Sequence, residues 1–350
     1  MNAGNIDFGR RVAVVALPVA GPVRIGLRPV AVGAVLVIAA LAVSILALST
    51  GDYLVPPQEV IQALLGRGPR VTNTVVVQWR LPRVVLGLVV GAALGMAGAI
   101  VQSLTRNPLG SPDVIGFDVG AYTGVLVTIT WFGSDYYRTA AGALIGGLLT
   151  ALVVYLFATR YGFQGFRLIV SGIAIAAMLA SVNQWLIIKS DLHTAMSAAI
   201  WQTGSLNGAD WAAVLPAGIT LLLLGAVVVA LGSRLTLLDL GDDAASALGL
   251  QVSRVQSAYL VIGVAFTALA TAVAGPVSFV ALAAPQLARR LAGSAGVAMG
   301  TSAAMGAFLV VGCDWLGQRL FAPNPLPVGV VTVSVGGAYF AWLLARQGRS

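Results

Sequence analysis

Long apolar stretches separated by short polar connections are the feature that most limits what this chain can fold into. Each stretch approaches the roughly 20 residues that an α-helix needs to cross a bilayer. They lie at residues 29–48, 84–104, 116–133, 140–158, 168–188, 211–232, 255–274, 277–288, 297–317 and 328–345. Only 9% of the 350 residues are charged, whereas about a quarter are charged in a soluble domain. The pattern predicts an all-α integral membrane fold with about ten transmembrane helices, although the stretch 277–288 is short for a full crossing.

The basic residues predict how these helices are oriented. If the N-terminus is cytoplasmic and all ten stretches cross, 13 of the 20 basic residues lie on the cytoplasmic side, as the positive-inside rule requires. We therefore expect a multi-pass protein of the inner (cytoplasmic) membrane with both termini in the cytoplasm. A single transmembrane domain, 29–345, would lie between an N-terminal tail, 1–28, and a C-terminal tail, 346–350. Within it, 49–83 would be a periplasmic connection and 233–254 a cytoplasmic one.

The sequence lacks the residues that several kinds of catalytic and cofactor site require. It contains no Gly-x-x-x-x-Gly-Lys-Ser/Thr loop, and its single lysine is Lys189, so we expect no ATP site in this chain. Cys313 and His193 are its single cysteine and histidine, which predicts no metal site and no bound cofactor. The net charge of +8 is spread between the apolar stretches, so nucleic-acid binding is not expected. No Ser/His or paired-aspartate site is evident within the bilayer, so the chain is not expected to be an enzyme.

The positions of the acidic residues bear on the energy source. All twelve fall in the N-terminal tail, at the ends of the apolar stretches or in the connections. Ion-coupled transporters usually carry ionisable groups at mid-membrane depth, and none is expected here. Transport would then be driven by a partner ATPase, or the chain would not pump at all. A sodium site built from carbonyl and hydroxyl oxygens remains open.

Two local patterns predict helix packing and docking. Gly87, Gly91 and Gly95 recur every four residues, so one face of the second helix has no side chains and a neighbouring helix can approach it closely. In the connection 233–254, a pair of aspartates suits a helix N-terminus and a glycine suits its end, with small residues between them. A plain linker needs neither caps nor alanines, so we interpret this segment as a docking element.

Four motifs are too specific for a generic membrane sequence. They are Arg-Leu-Pro-Arg at 80–83 with the glycine-rich run 91–98, Arg-Asn-Pro-Leu-Gly-Ser-Pro at 106–112, Gly-Pro-Val-Ser-Phe-Val-Ala-Leu-Ala-Ala-Pro-Gln at 275–286, and Leu-Pro-Val-Gly-Val at 326–330. In this order they resemble the FecCD family of ABC-importer permeases, which includes the vitamin B12 permease. The resemblance implies a fold like that of the type II ABC importer permeases. The chain departs from the family pattern at Gln286, where histidine is usual, and at Ser278 and Ala281, where glycine is usual.

The resemblance also implies two sets of contact residues. In such permeases, outward arginines receive glutamates of a substrate-binding protein, because guanidinium groups bind carboxylates bidentately. The corresponding residues are Arg80, Arg83 and Arg319. Lipid phosphate pairing or snorkelling is the alternative for them. The cytoplasmic coupling loop of the family, which contacts the ATPase, corresponds to Gly241, Asp242, Asp243, Ala244, Ala245, Ser246, Ala247, Leu248 and Gly249.

A polar patch in the fifth apolar stretch is the candidate for the translocation pathway. It consists of Ser181, Asn183 and Gln184, which a lipid-facing helix would not favour. Hydrogen bonds between helices are the alternative explanation for the same three residues.

The function and the partners follow from the resemblance as expectations. The chain would be the transmembrane permease subunit of an ABC importer that carries a metal chelate, foremost a ferric siderophore, across the inner membrane. Haem and cobalamin are the alternative cargoes. The expected partners are two copies of an ABC ATPase with ATP and Mg²⁺, a second permease subunit (identical or a sister chain), a periplasmic or lipid-anchored substrate-binding protein, and membrane lipid. An ion-coupled secondary transporter and a non-transporting scaffold are the rival classes.

Overall fold

The computed structural model describes most of the chain, namely residues 12–17, 21–113, 116–160, 165–232, 234–294 and 296–347. From residue 27 onward the described residues form helices joined by turns and short connections. The helices are α1 (Leu27–Ser49), α2 (Pro57–Leu64), α3 (Arg70–Asn73), a π-helical segment (Thr74–Arg80), α4 (Leu81–Thr105), α5 (Phe117–Phe132), α6 (Tyr136–Thr159), α7 (Gly165–Lys189), α8 (Leu192–Gln202), α9 (Trp211–Leu231), α10 (Arg234–Leu238), α11 (Asp242–Ala247), α12 (Val252–Ala274), α13 (Val280–Ala292), α14 (Met299–Leu320) and α15 (Val328–Gln347).

Each predicted apolar stretch overlaps one of these helices. Within the described residues, seven helical segments are long and apolar enough to cross a membrane: Leu27–Ser49, Arg70–Thr105, Tyr136–Thr159, Gly165–Lys189, Trp211–Leu231, Val252–Ala274 and Met299–Leu320. The helices α5 and α13 are shorter, with 16 and 13 residues, and the apolar part of α15 is Val328–Tyr339. The prediction of a multi-pass, α-helical membrane protein is confirmed.

The N-terminal region contains two strands that the sequence did not predict. β1 (Val12–Leu17) and β2 (Gly21–Gly26) pair antiparallel, with Val12 opposite Gly26 and Leu17 opposite Gly21. Valine is frequent in strands because its branched side chain packs well on a pleated surface, and this run is too short to span a membrane. The remaining residues of the predicted tail before position 21, and residues 348–350 of the C-terminal tail, lie outside the described part.

The second spanning helix begins earlier than predicted. The segment Arg70–Thr105 is continuous, with the π-helical residues in its middle, so the connection expected at 49–83 ends at residue 69. Pro82 has no N–H to donate to the preceding turn, and Leu81 donates instead to the carbonyl of Val76, five residues back. The proline motif therefore lies within a helix that has locally changed its hydrogen-bond register.

The core forms around α4, whose small residues permit close helix contacts. A Cβ at Gly91 would overlap the carbonyl group of Gly306 in α14, and a Cβ at Gly95 would overlap that of Ser302. One turn further along, a Cβ at Gly98 would overlap the main chain of α13. The predicted glycine face is confirmed, and it brings the backbones of α4, α13 and α14 into contact.

Three helices have largely exposed surfaces. In the most apolar part of each, only 17% of the residues of α1 and 11% of those of α7 and of α9 are buried. The large apolar side chains that they expose are mostly leucine, isoleucine and valine. Such surfaces are stable against lipid chains or against another membrane subunit, because neither requires polar groups.

Candidate functional site

The three arginines predicted for docking surround one cavity. Arg80 and Arg83 lie near the start of α4 and Arg319 lies in the last turn of α14. With Asp52 and Gln318, among others, they line an opening of about 480 Å³. We call this part of the molecule the Arg83 end. The structure thus brings the three predicted residues together.

Arg83 is already paired within the chain. Its Nε and Nη2 atoms donate to the two carboxylate oxygens of Asp314 at 2.9 and 2.8 Å, and its Nη1 atom donates to Asn207. The Asp314 side chain is only 6% exposed, so this bidentate pair joins α4 to α14 inside the protein. Arg83 therefore contributes mainly to the scaffold of the cavity.

Arg80 is also occupied, whereas Arg319 is not. The two terminal nitrogens of Arg80 donate to the main-chain carbonyls of Leu48 and Tyr53 at 2.7 and 2.6 Å. Gly51 gives them room, because a Cβ there would overlap the guanidinium group. The Nε atom of Arg319 is buried and has no hydrogen-bond partner among the described residues. Of the three predicted arginines, Arg319 is the one for which the described residues show no hydrogen bond, and because its side chain is only half-buried its terminal nitrogens can meet a partner.

The predicted pathway residues are only partly brought to one place. Asn183 and Gln184 of α7 line a cavity of about 660 Å³, which we call the central cavity. Ser181 is exposed, donates its hydroxyl to the carbonyl of Ala177 at 3.2 Å and does not line that cavity. The first two residues therefore share one cavity wall, and Ser181 lies outside it.

The central cavity also contains acidic residues that the sequence placed at span ends. Asp113 and Asp118 line it, and Thr271 of α12 donates its hydroxyl to Asp118 at 3.3 Å. Asp113 is next to Phe279, directly before α13. At a rise of 1.5 Å per residue, Phe279 is about 20 Å from the far end of α13. The expectation that no ionisable group lies deep among the helices is therefore wrong.

The chain after α4 explains why this was missed. Arg106 ends α4 in the left-handed conformation, at φ 50°, and the following segment turns back among the helices. Gln286 of α13 holds this segment by donating its side-chain amide to the carbonyl of Pro108 at 2.6 Å. α5 then begins after Gly116, at φ +83°, where the chain lies against α7. Hydropathy shows where an apolar run begins but gives no information about its depth.

The cytoplasmic connection predicted to couple to the ATPase forms two short helices, α10 and α11, and the predicted contact residues 241–249 surround α11. Gly241 has a φ of +106°, and the helix α11 that follows it has Asp242 and Asp243 in its first turn. The exposed residues of this segment are Asp243, Ala244, Ser246, Ala247, Leu248 and Gly249. The short helix with acidic residues at its start is confirmed, and residue 233 lies outside the described part.

Two residues of this segment make contacts within the chain itself. Ala245 is fully buried in the core of this chain, because it is on the inner face of α11. Asp242 accepts hydrogen bonds from the guanidinium of Arg106 and from Gln256, so its charge is compensated within the chain. The expectation that Ala245 contacts the ATPase is corrected accordingly, whereas Asp242, whose side chain is 46% exposed, stays a predicted contact.

A cavity beside this segment collects further basic residues. Arg106, Arg289 and Arg290 line an opening of about 560 Å³ together with Asp239 and Gln286. We call this part of the molecule the Arg106 end. Gln286 supplies the main-chain contact described above, so the glutamine that replaces the usual histidine has a structural role here.

The helix α8 was not predicted, and its N-terminus is stabilised by a side chain. Asp191 accepts hydrogen bonds from the main-chain N–H and the hydroxyl of Thr194 at 2.8 and 3.0 Å. These bonds hold the pKa of Asp191 below its ordinary value. At its other end, α8 contributes Gln202 to the wall of the central cavity.

Residues 36–346 match the model of the FecCD transport family. The chain belongs to the FecCD transport family. It is 47% identical over 314 residues to the ferric enterobactin transport system permease protein FepG of Escherichia coli (strain K12), covering 90% of this chain and 95% of that protein. It is 36% identical to the probable siderophore transport system permease protein YfhA of Bacillus subtilis (strain 168), and the match covers 88% of this chain and 92% of that protein.

A solved structure has the same fold as this FecCD-family chain. It is an inward-facing ABC transporter assigned to the metal-chelate type, with a TM-score of 0.81 and 25% sequence identity over 90% of this chain and 99% of the other. The family membership suggested by the motifs is therefore confirmed, and with it the permease type of fold.

Proposed function

We propose that this chain is the transmembrane permease subunit of an ABC importer that carries a ferric siderophore across the cytoplasmic membrane. The observation that carries the proposal is the 47% identity, over 90% of the chain, to a ferric enterobactin permease. The chain supplies the membrane pathway. ATP and Mg²⁺ would bind to the partner ATPases, so this subunit needs no catalytic residue or cofactor of its own.

Reconstitution tests this function directly. The chain, with a second permease where one is encoded, is placed in vesicles with its ATPase and binding protein, and uptake of radioactive iron is measured. We expect ATP-dependent uptake of a ferric siderophore. Haem or cobalamin taken up at a higher rate would instead assign the cargo to one of those alternatives.

The topology that we propose has ten membrane helices and two cytoplasmic termini. Seven segments are long enough by themselves, and α5, α13 and α15 would complete the set where neighbouring helices shield their ends from lipid. The excess of basic residues at the Arg106 end supports a cytoplasmic position for that end. Reporter fusions at the C-terminus and between α8 and α9 should report opposite sides of the membrane.

Docking of the binding protein would take place at the Arg83 end, with Arg319 as the principal contact. Arg319 is half-buried and makes no hydrogen bond among the described residues, so its terminal nitrogens can receive a carboxylate, whereas Arg80 and Arg83 shape the cavity around it. Arg319→Glu should weaken binding of the substrate-loaded binding protein by about fivefold or more, and most strongly at low salt. Arg67→Glu, an equal charge change at an exposed residue outside the cavity, is the control. Equal affinities for both variants would exclude the Arg319 contact.

The ATPase would contact the exposed face of α11. Ala244 and Leu248 both lie on that face, so a tryptophan at Ala244 should obstruct a close contact without entering the core of this chain. We expect the purified variant to remain folded, and stimulation of ATP hydrolysis by the loaded binding protein to disappear. Normal stimulation would place the coupling contact elsewhere.

A second permease subunit would complete the pathway along α7. Asn183 and Gln184 give this helix a polar side at the central cavity, while most of its other side chains are exposed. A symmetric or sister subunit that packs there would enclose the cavity between two chains. Cysteine cross-linking along α7 in membranes would show whether two permease chains meet at this helix.

One observation favours a different class, an ion-coupled secondary transporter. Asp113 and Asp118 lie among the helices, where coupling ions bind in such proteins. The two classes differ in their energy source. Collapse of the ion gradients at constant ATP would stop a secondary transporter and leave an ATP-driven importer active.

A further inference from the structure

The central cavity has an acidic wall that the import function does not explain. It lies between α5, α7, α8 and the turn after α12, and has a volume of about 660 Å³. The charged side chains among the described residues that line it are Asp113 and Asp118, and no arginine, lysine or histidine is in that set. The negative charge of this wall therefore has no basic partner beside it.

The two carboxyl groups are close together. The side chains of Asp113 and Asp118 are within hydrogen-bonding distance of each other. Thr271 donates to Asp118 at 3.3 Å, and the main-chain N–H of Phe279 donates to Asp113. Two ionised carboxylates this close repel each other, and the repulsion grows as they are shielded from water. A positive charge, either a shared proton or a bound cation, would relieve it.

An independent observation indicates that the positive charge is a cation. The Asn183 side chain is only 4% exposed. Its Nδ2 atom donates to the carbonyl of Val119, the neighbour of Asp118, at 3.3 Å. Its Oδ1 atom has no hydrogen-bond partner among the described residues. A buried acceptor without a donor is unfavourable. A cation bound to the two carboxylates could also bind this oxygen, whereas a proton shared between the aspartates could not.

We propose that the central cavity binds a hard divalent metal cation through side-chain oxygens of Asp113, Asp118 and Asn183. Two carboxylates balance a double positive charge. Every proposed ligand atom is oxygen, and no histidine or cysteine is among the described residues that line the cavity, which disfavours transition metals. Calcium is the best match, because it accepts six to eight oxygens in irregular arrangements and water can complete the set. The site belongs to this chain alone and does not depend on the cargo or on the ATPase.

Equilibrium binding of radioactive Ca²⁺ to the purified, full-length protein in detergent tests the site. We expect one saturable site for each chain, and at least tenfold weaker binding in Asp118→Asn, which keeps the shape of the side chain and removes its charge. Asp135→Asn, the same change at an exposed residue, should bind as the unchanged protein does. Asp113→Asn serves as the second variant if Asp118→Asn does not fold, which size-exclusion chromatography will show.

Thermal unfolding supplies a second readout. Calcium that binds the folded chain should raise its melting temperature increasingly as the Ca²⁺ concentration exceeds the dissociation constant, and should not do so for Asp118→Asn. Absence of saturable binding at millimolar Ca²⁺ near neutral pH would overturn the proposal. Equal affinity in Asp118→Asn and the unchanged protein would overturn it too. A melting temperature that depends on pH through this pair but not on Ca²⁺ would show that a shared proton holds the aspartates instead.

Discussion

The ion pair between Arg83 and Asp314 should be a major link between α4 and α14, and replacing Arg83 with glutamine tests this. The side chains of the pair are 21% and 6% exposed, and both hydrogen bonds are shorter than 3.0 Å. In Arg83→Gln the carboxylate of Asp314 remains enclosed, with the amide of Gln318 as its other donor at 2.7 Å. A charge reversal at Arg83 would therefore damage the fold as well as any docking surface.

The expected loss in the free energy of unfolding follows from how deeply each partner of the pair is buried. Removing one member of a buried pair costs about 3–5 kcal/mol, because the other charge is left unpaired. Water can reach the partly exposed Arg83 position, so we expect a loss of about 3 kcal/mol, at the lower limit of that range. Asp314→Asn leaves the charge on the more exposed partner and should cost about 1–2 kcal/mol. In the double variant, the loss should be smaller than the sum of the single losses by about 1.5 kcal/mol or more.

Unfolding in mixed micelles with increasing detergent, followed by tryptophan fluorescence, gives the free energy of unfolding for each variant. Arg67→Gln is the control, because Arg67 is exposed, and its effect should stay within about 0.5 kcal/mol. If the two single losses add to the double loss within about 0.5 kcal/mol, the residues are not coupled. The argument that this pair joins the two helices would then be refuted.

The remaining predictions concern packing, coupling and pH. Gly91→Ala should lower the free energy of unfolding by about 1–3 kcal/mol, because its methyl group would overlap the main chain of α14. Gly300→Ala, at an open position of the same helix pair, should raise it slightly, and equal effects in thermal denaturation would contradict the packing argument. Ala245→Trp should lower the melting temperature, because Ala245 is buried, whereas Ala244→Trp should leave it unchanged; equal melting temperatures would contradict this assignment of faces. The lowered pKa of Asp191 stabilises the fold above the ordinary aspartate range, and this stabilisation is lost as the pH falls through the lowered pKa. Melting curves of Asp191→Ala between about pH 7 and pH 3 should show a weaker pH dependence than those of the unchanged protein.

The sequence determined the class of the protein and much of its packing. Apolar length and the scarcity of charge are sufficient for a multi-pass helical fold, because only a helix satisfies its own backbone polar groups within lipid. The glycines at positions 91 and 95 of α4 were enough to predict a close helix contact. The motifs at 80–83 and 275–286 were enough to indicate the family, which the match over residues 36–346 then confirmed.

Only the tertiary structure decided which predicted residues are available for function. Arg83 and Arg319 both lie at predicted outer helix ends in the sequence. Asp314, more than 200 residues after Arg83 in the chain, pairs with Arg83 and not with Arg319. Ala244 and Ala245 are neighbours in α11. Because they lie on different faces of this helix, Ala245 is buried in the core and Ala244 is exposed. Asp118 begins an apolar run at a depth that hydropathy does not encode. The partner of a side chain, the face on which it lies and its depth among the helices all depend on which distant segments meet. A local sequence pattern contains no information about those contacts.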